Sequence, residues 1–215
     1  MSRPESQEDR LAIRELIENW ALWRDAGNWD GLMSLWHSRG HMVATWSEAA
    51  AQDFVAHSRA AWDAGMQVVH FLGGTSIDVR GSRAIAETRM EITQRAFVHD
   101  IQVDVQCKGL FWDALIKEDG KWQLVLRHPI YEMDRMTPVD PAQVITLDQD
   151  LLSKFPDGYR HLAYLQTLTG LTVNPHLPEA RGPQVAALRA RGRQWLDGGS
   201  IEALLRLQKD VCLAV

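Results

Sequence analysis

The sequence contains only two cysteines, Cys107 and Cys212, which form neither a disulfide framework nor a zinc motif. It has no apolar run approaching about 18 residues, which excludes a transmembrane helix. It also has no run of five or more basic residues. The 23 basic and 28 acidic residues give a net charge of -5, so we expect neither a nucleic-acid partner nor a membrane partner. The first residues are polar and lack an apolar signal region, so a cytoplasmic protein is expected.

Tyrosine and phenylalanine are scarce beside tryptophan, with three, five and nine copies respectively. Tryptophan has a large apolar surface and one N–H group, so it suits a core, an interface or a pocket. A tryptophan-rich core and an aromatic-lined pocket for a flat ligand both fit this composition. The 215 residues are sufficient for one domain with a helical extension.

The first third of the chain alternates helical patterns with one strand. Apolar residues at helical spacing predict a helix over residues 8–25. Gly27 ends that helix, and Asn28 is a suitable N-cap for a short second helix that reaches residue 36. We predict a strand over residues 41–46 and a third helix over 48–64.

From residue 66 onward the apolar pattern changes to a period of two, which is typical of strands. Four long strands are predicted at residues 68–79, 84–98, 101–116 and 121–133. The segments between them are short enough for hairpins, which indicates an antiparallel meander and an α+β fold. After Pro138 the pattern is helical again. The predicted C-terminal helices are 148–155, 159–169, 183–196 and 200–211.

Three local segments carry a resemblance to a known family. Residues 23–30, Trp-Arg-Asp-Ala-Gly-Asn-Trp-Asp, resemble the Asp-x-x-x-Trp-Asp signature of scytalone dehydratase and its relatives. Residues 70–75, His-Phe-Leu-Gly-Gly-Thr, are similar to the His-Phe-x-Gly-Gly-Thr segment of that family. Residues 119–122 resemble its Asp-Gly-x-Trp hairpin. Together with the element order, these segments resemble the nuclear-transport-factor-2-like superfamily, also called SnoaL-like.

The resemblance spans roughly residues 8–135 and implies a particular architecture. N-terminal helices would pack on a strongly curved antiparallel sheet to form a cone-shaped roll over residues 1–137. Residues 138–215 would then be a C-terminal helical extension. The family uses the conical pocket between helices and sheet without a metal or an organic cofactor, so we expect none here.

By position, Asp25 and His70 correspond to the pocket carboxylate and the catalytic histidine of the family. The chain departs from the pattern at Arg24, which stands where a pocket tyrosine is expected, and at Arg95, which stands in place of a second catalytic histidine. Gly109 and Phe111 replace a polar pair on the third strand. These departures argue against the original dehydration substrate and leave Phe111 as a candidate substrate-binding residue.

Asp25 and His70 also have non-catalytic interpretations. Asp25 lies in the last turn of its helix, where a negative charge opposes the helix dipole, and it could simply face solvent there. His70 lies between Val68 and Leu72 on one strand face and could be a core histidine. A carboxylate partner would instead orient the imidazole and leave one nitrogen free as a base. With the family segments around them, we favour the base and its carboxylate.

Three aromatic or imidazole side chains are further candidates. His128 shares its predicted face with Leu124 and Leu126, so it could enter the cone or be a buried structural histidine. Tyr131 is a candidate proton donor, with a rim or packing role as the alternative. Trp46 is a candidate wall of the pocket or a core residue.

Arginines provide candidates for stabilising an anion. Arg24 is one, and Arg89 and Arg95 share one face of their strand with Glu87 and Glu91. A charged sheet face is usually solvated or contacts another subunit. In the functional interpretation, one of these arginines stabilises an alkoxide, enolate or phenolate inside the cone.

Two other site types are disfavoured. His37 and His41 are four residues apart, but the segment between them indicates a turn rather than one helix face, so a metal site is not predicted. Gly73 and Gly74 lie inside the antiparallel meander, which is not the setting of a dinucleotide-binding loop.

We therefore predict a cofactor-independent lyase acting on a small, hydrophobic, aromatic hydroxylated substrate. Loss of water and retro-aldol-type C–C cleavage releasing a small aldehyde such as formaldehyde both fit, for instance on a lignin-derived aromatic diol. An isomerase of the same fold and a non-catalytic binding or assembly module are the alternatives. We expect a homodimer or homotrimer.

Overall fold

The computed structural model describes residues 7–206. The helices on the N-terminal side are α1 (Gln7–Asp25), α2 (Trp29–Ser34) and α3 (Ala51–Asp63). The strands are β1 (Trp36–Ala44), β2 (Ser47–Ala50), β3 (Gln67–Arg80), β4 (Arg83–Val98), β5 (Ile101–Glu118) and β6 (Lys121–Pro138). The remaining helices are α4 (Gln149–Leu152), α5 (Arg160–Leu168), α6 (Pro183–Leu196) and α7 (Ile201–Leu205).

The six strands form one open sheet in the order β2-β1-β6-β5-β4-β3. The four predicted long strands are confirmed and pair antiparallel through short hairpins. At the β4–β5 turn, His99 and Asp100 both have positive φ, as a two-residue turn of mirror-image type requires. β1 pairs parallel with β6, so the sheet is mixed rather than wholly antiparallel. The predicted strand at 41–46 corresponds to β1, which begins earlier, at Trp36, and ends at Ala44. Strand β2 was not predicted.

The α+β fold is confirmed, with helices packed against the six-stranded sheet. The buried stripe of α1, from Ile13 to Arg24, faces the sheet, as its helical spacing predicts. The aromatic rings of Trp20 on α1 and Phe111 on β5 meet at 5.5 Å between centroids. α1 and α3 therefore cover one face of the sheet, which we call the inner face.

The segment after β6 reaches both faces of the sheet. Leu162 of α5 packs into the inner-face cavity described below. In contrast, Trp195 of α6 donates its indole N–H to the carbonyl of Leu115, and Arg189 pairs with Glu87 on the outer face. The predicted helix 200–211 is observed as α7, and its continuation beyond residue 206 lies outside the described residues. None of the helices between residues 7 and 206 has the length and apolarity needed to cross a bilayer.

Candidate active site

A cavity of about 60 Å³ lies between the inner face of the sheet and helices α1, α3 and α5. Its aromatic wall is continuous: Trp46 stacks on Phe54 at 5.7 Å, and Phe54 stacks on Trp20 at 6.1 Å between ring centroids. Phe111 extends the wall from the sheet side. The polar side chains that line the cavity are Arg24, Thr45, His70, Gln94, Tyr131 and Gln166. The predicted Trp46 and Phe111 both lie at this cavity.

Asp25 holds His70 at two points. One carboxylate oxygen accepts the backbone N–H of His70 at 2.6 Å, and the other lies 2.7 Å from Nδ1 of its ring. Asp25 is the last residue of α1, so these two bonds offset the unfavourable position of a carboxylate at a helix C-terminus. The contact assigns the ring proton to Nδ1, because a carboxylate only accepts. Within residues 7–206, Nε2 of His70 has no protein hydrogen-bond partner.

Burial is the main reason that the pKa of His70 is lowered from its ordinary value. The carboxylate of Asp25 acts in the opposite direction, whereas the cations of Arg24 and Arg127 lower the pKa further. The imidazole is therefore neutral at neutral pH. A neutral histidine with an oriented ring and a free Nε2 is suited to act as a general base.

Arg24 places a buried cation beside this pair. Its Nη1 lies 3.7 Å from a carboxylate oxygen of Asp25, and only 8% of its side chain is exposed. Burial lowers its pKa, but a guanidinium remains protonated at physiological pH. Because Arg24 lines the cavity, it can stabilise negative charge that develops near His70.

A second buried arginine, which sequence reasoning missed, lies behind the aromatic wall. The Arg127 guanidinium is 4.3 Å from the ring centroid of Trp20 and 4.4 Å from that of Phe111. Asp113 binds it through two hydrogen bonds of 2.7 Å, and both side chains are fully buried. This arrangement fixes the two rings, since cation–π contacts are strongest where water is excluded.

Tyr131 lies at the cavity but away from solvent, and burial raises the pKa of its phenol well above the ordinary value. It is therefore protonated at physiological pH. Thr45 lies beside the hydroxyl and acts on this pKa in the opposite direction. Thr45 in turn donates to Gln166 of α5 at 2.6 Å.

The structure places three predicted site residues away from the cavity. Arg95 makes two 2.7 Å hydrogen bonds to Asp104, and Arg89 pairs with Glu132. Both arginines lie on the outer face of the sheet, so the interpretation of a charged outer surface is the one that fits. Side chains alternate along β4, and it is Gln94 rather than Arg95 that lines the cavity.

His128 is the third such residue. Its Nδ1 hydrogen-bonds with the carbonyl of Pro129 at 2.9 Å, and its ring borders a small cavity of about 10 Å³ that includes Arg191 of α6 and Glu48. Burial lowers its pKa to about 4. The inner face of β6 carries Arg127, Pro129 and Tyr131, so His128 points the other way.

A signal for the buried ion pair was present in the sequence. Asp113 and Arg127 each stand in an apolar stretch of their strands, and the observed register, which shifts between Ala114 and Leu115, sets them directly opposite each other. Opposite charges in paired apolar strands indicate a buried salt bridge. Gln166 carried no such signal, because its contact with Thr45 spans 121 residues of sequence.

Metal ligands are not grouped in the described part of the chain: between residues 7 and 206, no three His, Cys, Asp or Glu side chains come together as a ligand set. His37, one of the two histidines weighed for a metal, lies 3.4 Å from Glu118 and accepts the backbone N–H of Arg39.

Comparison with known proteins gives a family and a fold. The SnoaL-like domain model matches residues 5–128. Pea pathogenicity protein 2 of Fusarium vanettenii is 35% identical over 206 residues, covering 90% of this chain and 88% of that protein. An uncharacterised protein of Emericella nidulans is 32% identical over 210 residues, with the same coverage.

Solved structures share the fold at low sequence identity. A candidate scytalone dehydratase of Novosphingobium aromaticivorans superposes with a TM-score of 0.52 at 18% identity, over 65% of this chain and 95% of that one. A type 2 hexachlorocyclohexane dehydrochlorinase also gives 0.52, at 11% identity over 65% and 94%.

Proposed function

The chain belongs to the SnoaL-like domain family, and we propose that it is a lyase that works by general acid–base chemistry without a cofactor. The observation that supports this is the two-point contact between Asp25 and His70, which leaves Nε2 free at an aromatic cavity. Two relatives by fold carry names of elimination enzymes, a dehydratase and a dehydrochlorinase. Base-promoted elimination requires removal of a proton, and we assign that step to His70.

In the proposed reaction, Nε2 of His70 takes a proton from a hydroxyl group or an activated carbon of the substrate. The Nδ1 proton remains with Asp25, whose carboxylate stabilises the imidazolium that forms. Arg24 stabilises the negative charge left on the substrate. In dehydration the electron pair expels hydroxide, which leaves as water after receiving a proton from Tyr131. In C–C cleavage the deprotonated hydroxyl becomes the carbonyl of the released aldehyde as the adjacent C–C bond breaks. The carbanion left on the other fragment then takes back the proton held by Nε2 of His70.

The stacked aromatic wall favours a single-ring hydroxylated substrate, for which a lignin-derived diol is one source. A cavity of about 60 Å³ is smaller than the roughly 150 Å³ that holds benzene in a protein core. A ring can therefore enter only if a wall moves.

The experiment is a screen of aromatic alcohols and diols with detection of alkene, ketone and formaldehyde products. His70→Ala should lose about 10²–10⁴-fold in turnover, the usual worth of a positioned base. Asp25→Asn should lose much of it, and the double variant should be little worse than His70→Ala, because each residue acts through the other. Dialysis against EDTA should leave turnover unchanged.

The chain offers a matched control for this pair. His161 and Asp134 repeat the same contacts away from the cavity, with 2.6 Å to the backbone N–H and 2.7 Å to Nδ1. His161→Ala should therefore affect stability while keeping turnover. Folded His70→Ala with near-normal turnover would contradict the proposal. Turnover that only rearranges the substrate would indicate an isomerase, and ligand binding without turnover would indicate a binding module.

A further inference from the structure

A chain of polar side chains crosses the cavity wall and links the turn after β1 with α5 and β4. Thr45, which lies beside the Tyr131 hydroxyl, donates to Oε1 of Gln166 at 2.6 Å. Nε2 of Gln166 then donates to Oε1 of Gln94 at 3.5 Å, a long bond. Gln94 and Gln166 are 3% and 5% exposed, so both amides are almost wholly buried.

This chain of bonds has a free end. With Oε1 of Gln94 facing Gln166, its Nε2 carries two N–H donors, and neither has a protein partner among residues 7–206. Buried amide donors are normally satisfied. Gln94 lines the cavity, so these two donors are available to a hydrogen-bond acceptor placed there.

The register of the sheet gives the spacing of the two residues that carry this donor and the base. His70 of β3 lies opposite Ile92 of β4, and Val68 lies opposite Gln94. His70 and Gln94 are thus diagonal neighbours on adjacent strands, with Cα atoms about 7–8 Å apart. Both side chains point to the same cavity. One ring with a polar group on each side spans that distance.

We propose that Gln94, oriented by Gln166, binds a hydrogen-bond-accepting oxygen of the substrate, specifically a carbonyl carried on the ring. The reacting C–H or O–H bond lies at the other side of the ring, at His70. This assignment rests on the proposed function, because it takes the cavity of His70 as the substrate site. It makes Gln94 a specificity-determining residue and Gln166 a positioning residue contributed by the C-terminal extension.

Acetophenone and ethylbenzene form a matched probe pair, since they differ in the carbonyl group alone. We expect calorimetric titration to show acetophenone binding to the wild type about three- to tenfold more tightly, the usual worth of one hydrogen bond. Gln94→Met should abolish the preference by weakening acetophenone and leaving ethylbenzene unchanged. Gln166→Met should reduce it, because Gln94 loses its orienting contact. Should Gln94→Met fail to fold by circular dichroism, Gln166→Met alone decides.

The control is Gln106→Met, the same substitution on the outer face, where Gln106 contacts Arg135. It should keep the full preference. His70→Ala should keep it as well, so that loss of catalysis and loss of carbonyl recognition are measured separately. Equal binding of the two probes to the wild type, binding of neither, or an unchanged preference in the folded Gln94 variant would overturn the assignment.

Discussion

His128 should make the protein sensitive to mild acid without contributing to turnover. Its ring is 5% exposed and faces Arg191 of α6, and its pKa is lowered from 6.5 to about 4. Glu48 is the carboxylate that borders the same small cavity. In the unfolded chain the ring titrates normally, so between these two pKa values only the unfolded state binds the proton. The unfolding free energy therefore keeps its full value above pH 6.5, and it decreases as the pH falls from 6.5 toward 4.

The size of the effect follows from the difference between the two pKa values. Each unit is worth about 1.4 kcal/mol, so the shift of His128 corresponds to at most about 3 to 4 kcal/mol of unfolding free energy. At pH 5, which is 1.5 units below the unfolded pKa, about 2 kcal/mol should be lost relative to pH 7.5. His41 and His70 also have lowered pKa values and add to the loss in the wild type. A substitution of His128 isolates its own share.

We would measure the unfolding free energy of the wild type and His128→Asn by urea titration at pH 7.5 and pH 5. The variant should lose about 2 kcal/mol less than the wild type between the two values. The exposed His176 supplies the control, and His176→Asn should behave as the wild type. Turnover of His128→Asn should be normal, since the ring lies outside the cavity. An identical acid loss in wild type and His128→Asn would refute this reasoning.

Three further outcomes are expected. The ratio kcat/KM should stay constant as the pH falls through 6.5 and decline only below it, because the pKa of His70 is lowered and the base is active when neutral; a decline centred above 6.5 would contradict this. Asp113→Asn should cost about 3–5 kcal/mol of unfolding free energy by leaving Arg127 unpaired, whereas Asp113→Leu combined with Arg127→Met should cost much less; equal losses by urea titration would argue against it. Sedimentation should give a homodimer or homotrimer. Phe71→Glu should weaken this assembly, because Phe71 and Val69 expose 73% and 61% of their surface on the outer face. A 24.4 kDa particle of the wild type at micromolar concentration would contradict this expectation.

The fold was largely predictable because its main signals are local. The period-two pattern gave the four long strands, and the helical stripe gave α1 within one residue of its observed start. β2 is four residues long and has no apolar alternation, so no local pattern revealed it. The parallel pairing of β1 with β6 joins distant segments, and such pairings depend on packing rather than on local sequence.

The site was predictable only where a motif marked it. Asp25 and His70 are brought together as the resemblance implied, and their contacts are those expected of a base and its carboxylate. Arg95 was misplaced because strand alternation gives two faces without saying which is the inner one. The packing of α1 identifies the inner face, because Trp20 of this helix contacts the face of the sheet that carries His70. Gln166 could not be predicted as a site residue, because its role depends on where α5 folds back onto the sheet.

The position of α5 has a consequence for biosynthesis. Every other lining element is made by Pro138, but Leu162, Gln166 and Leu171 leave the ribosome later. At about 5–20 residues per second, the delay from residue 138 to 171 is roughly two to seven seconds. During that interval the cavity would lack the wall that α5 provides. Only a chain made past residue 171 carries every side chain that lines the cavity.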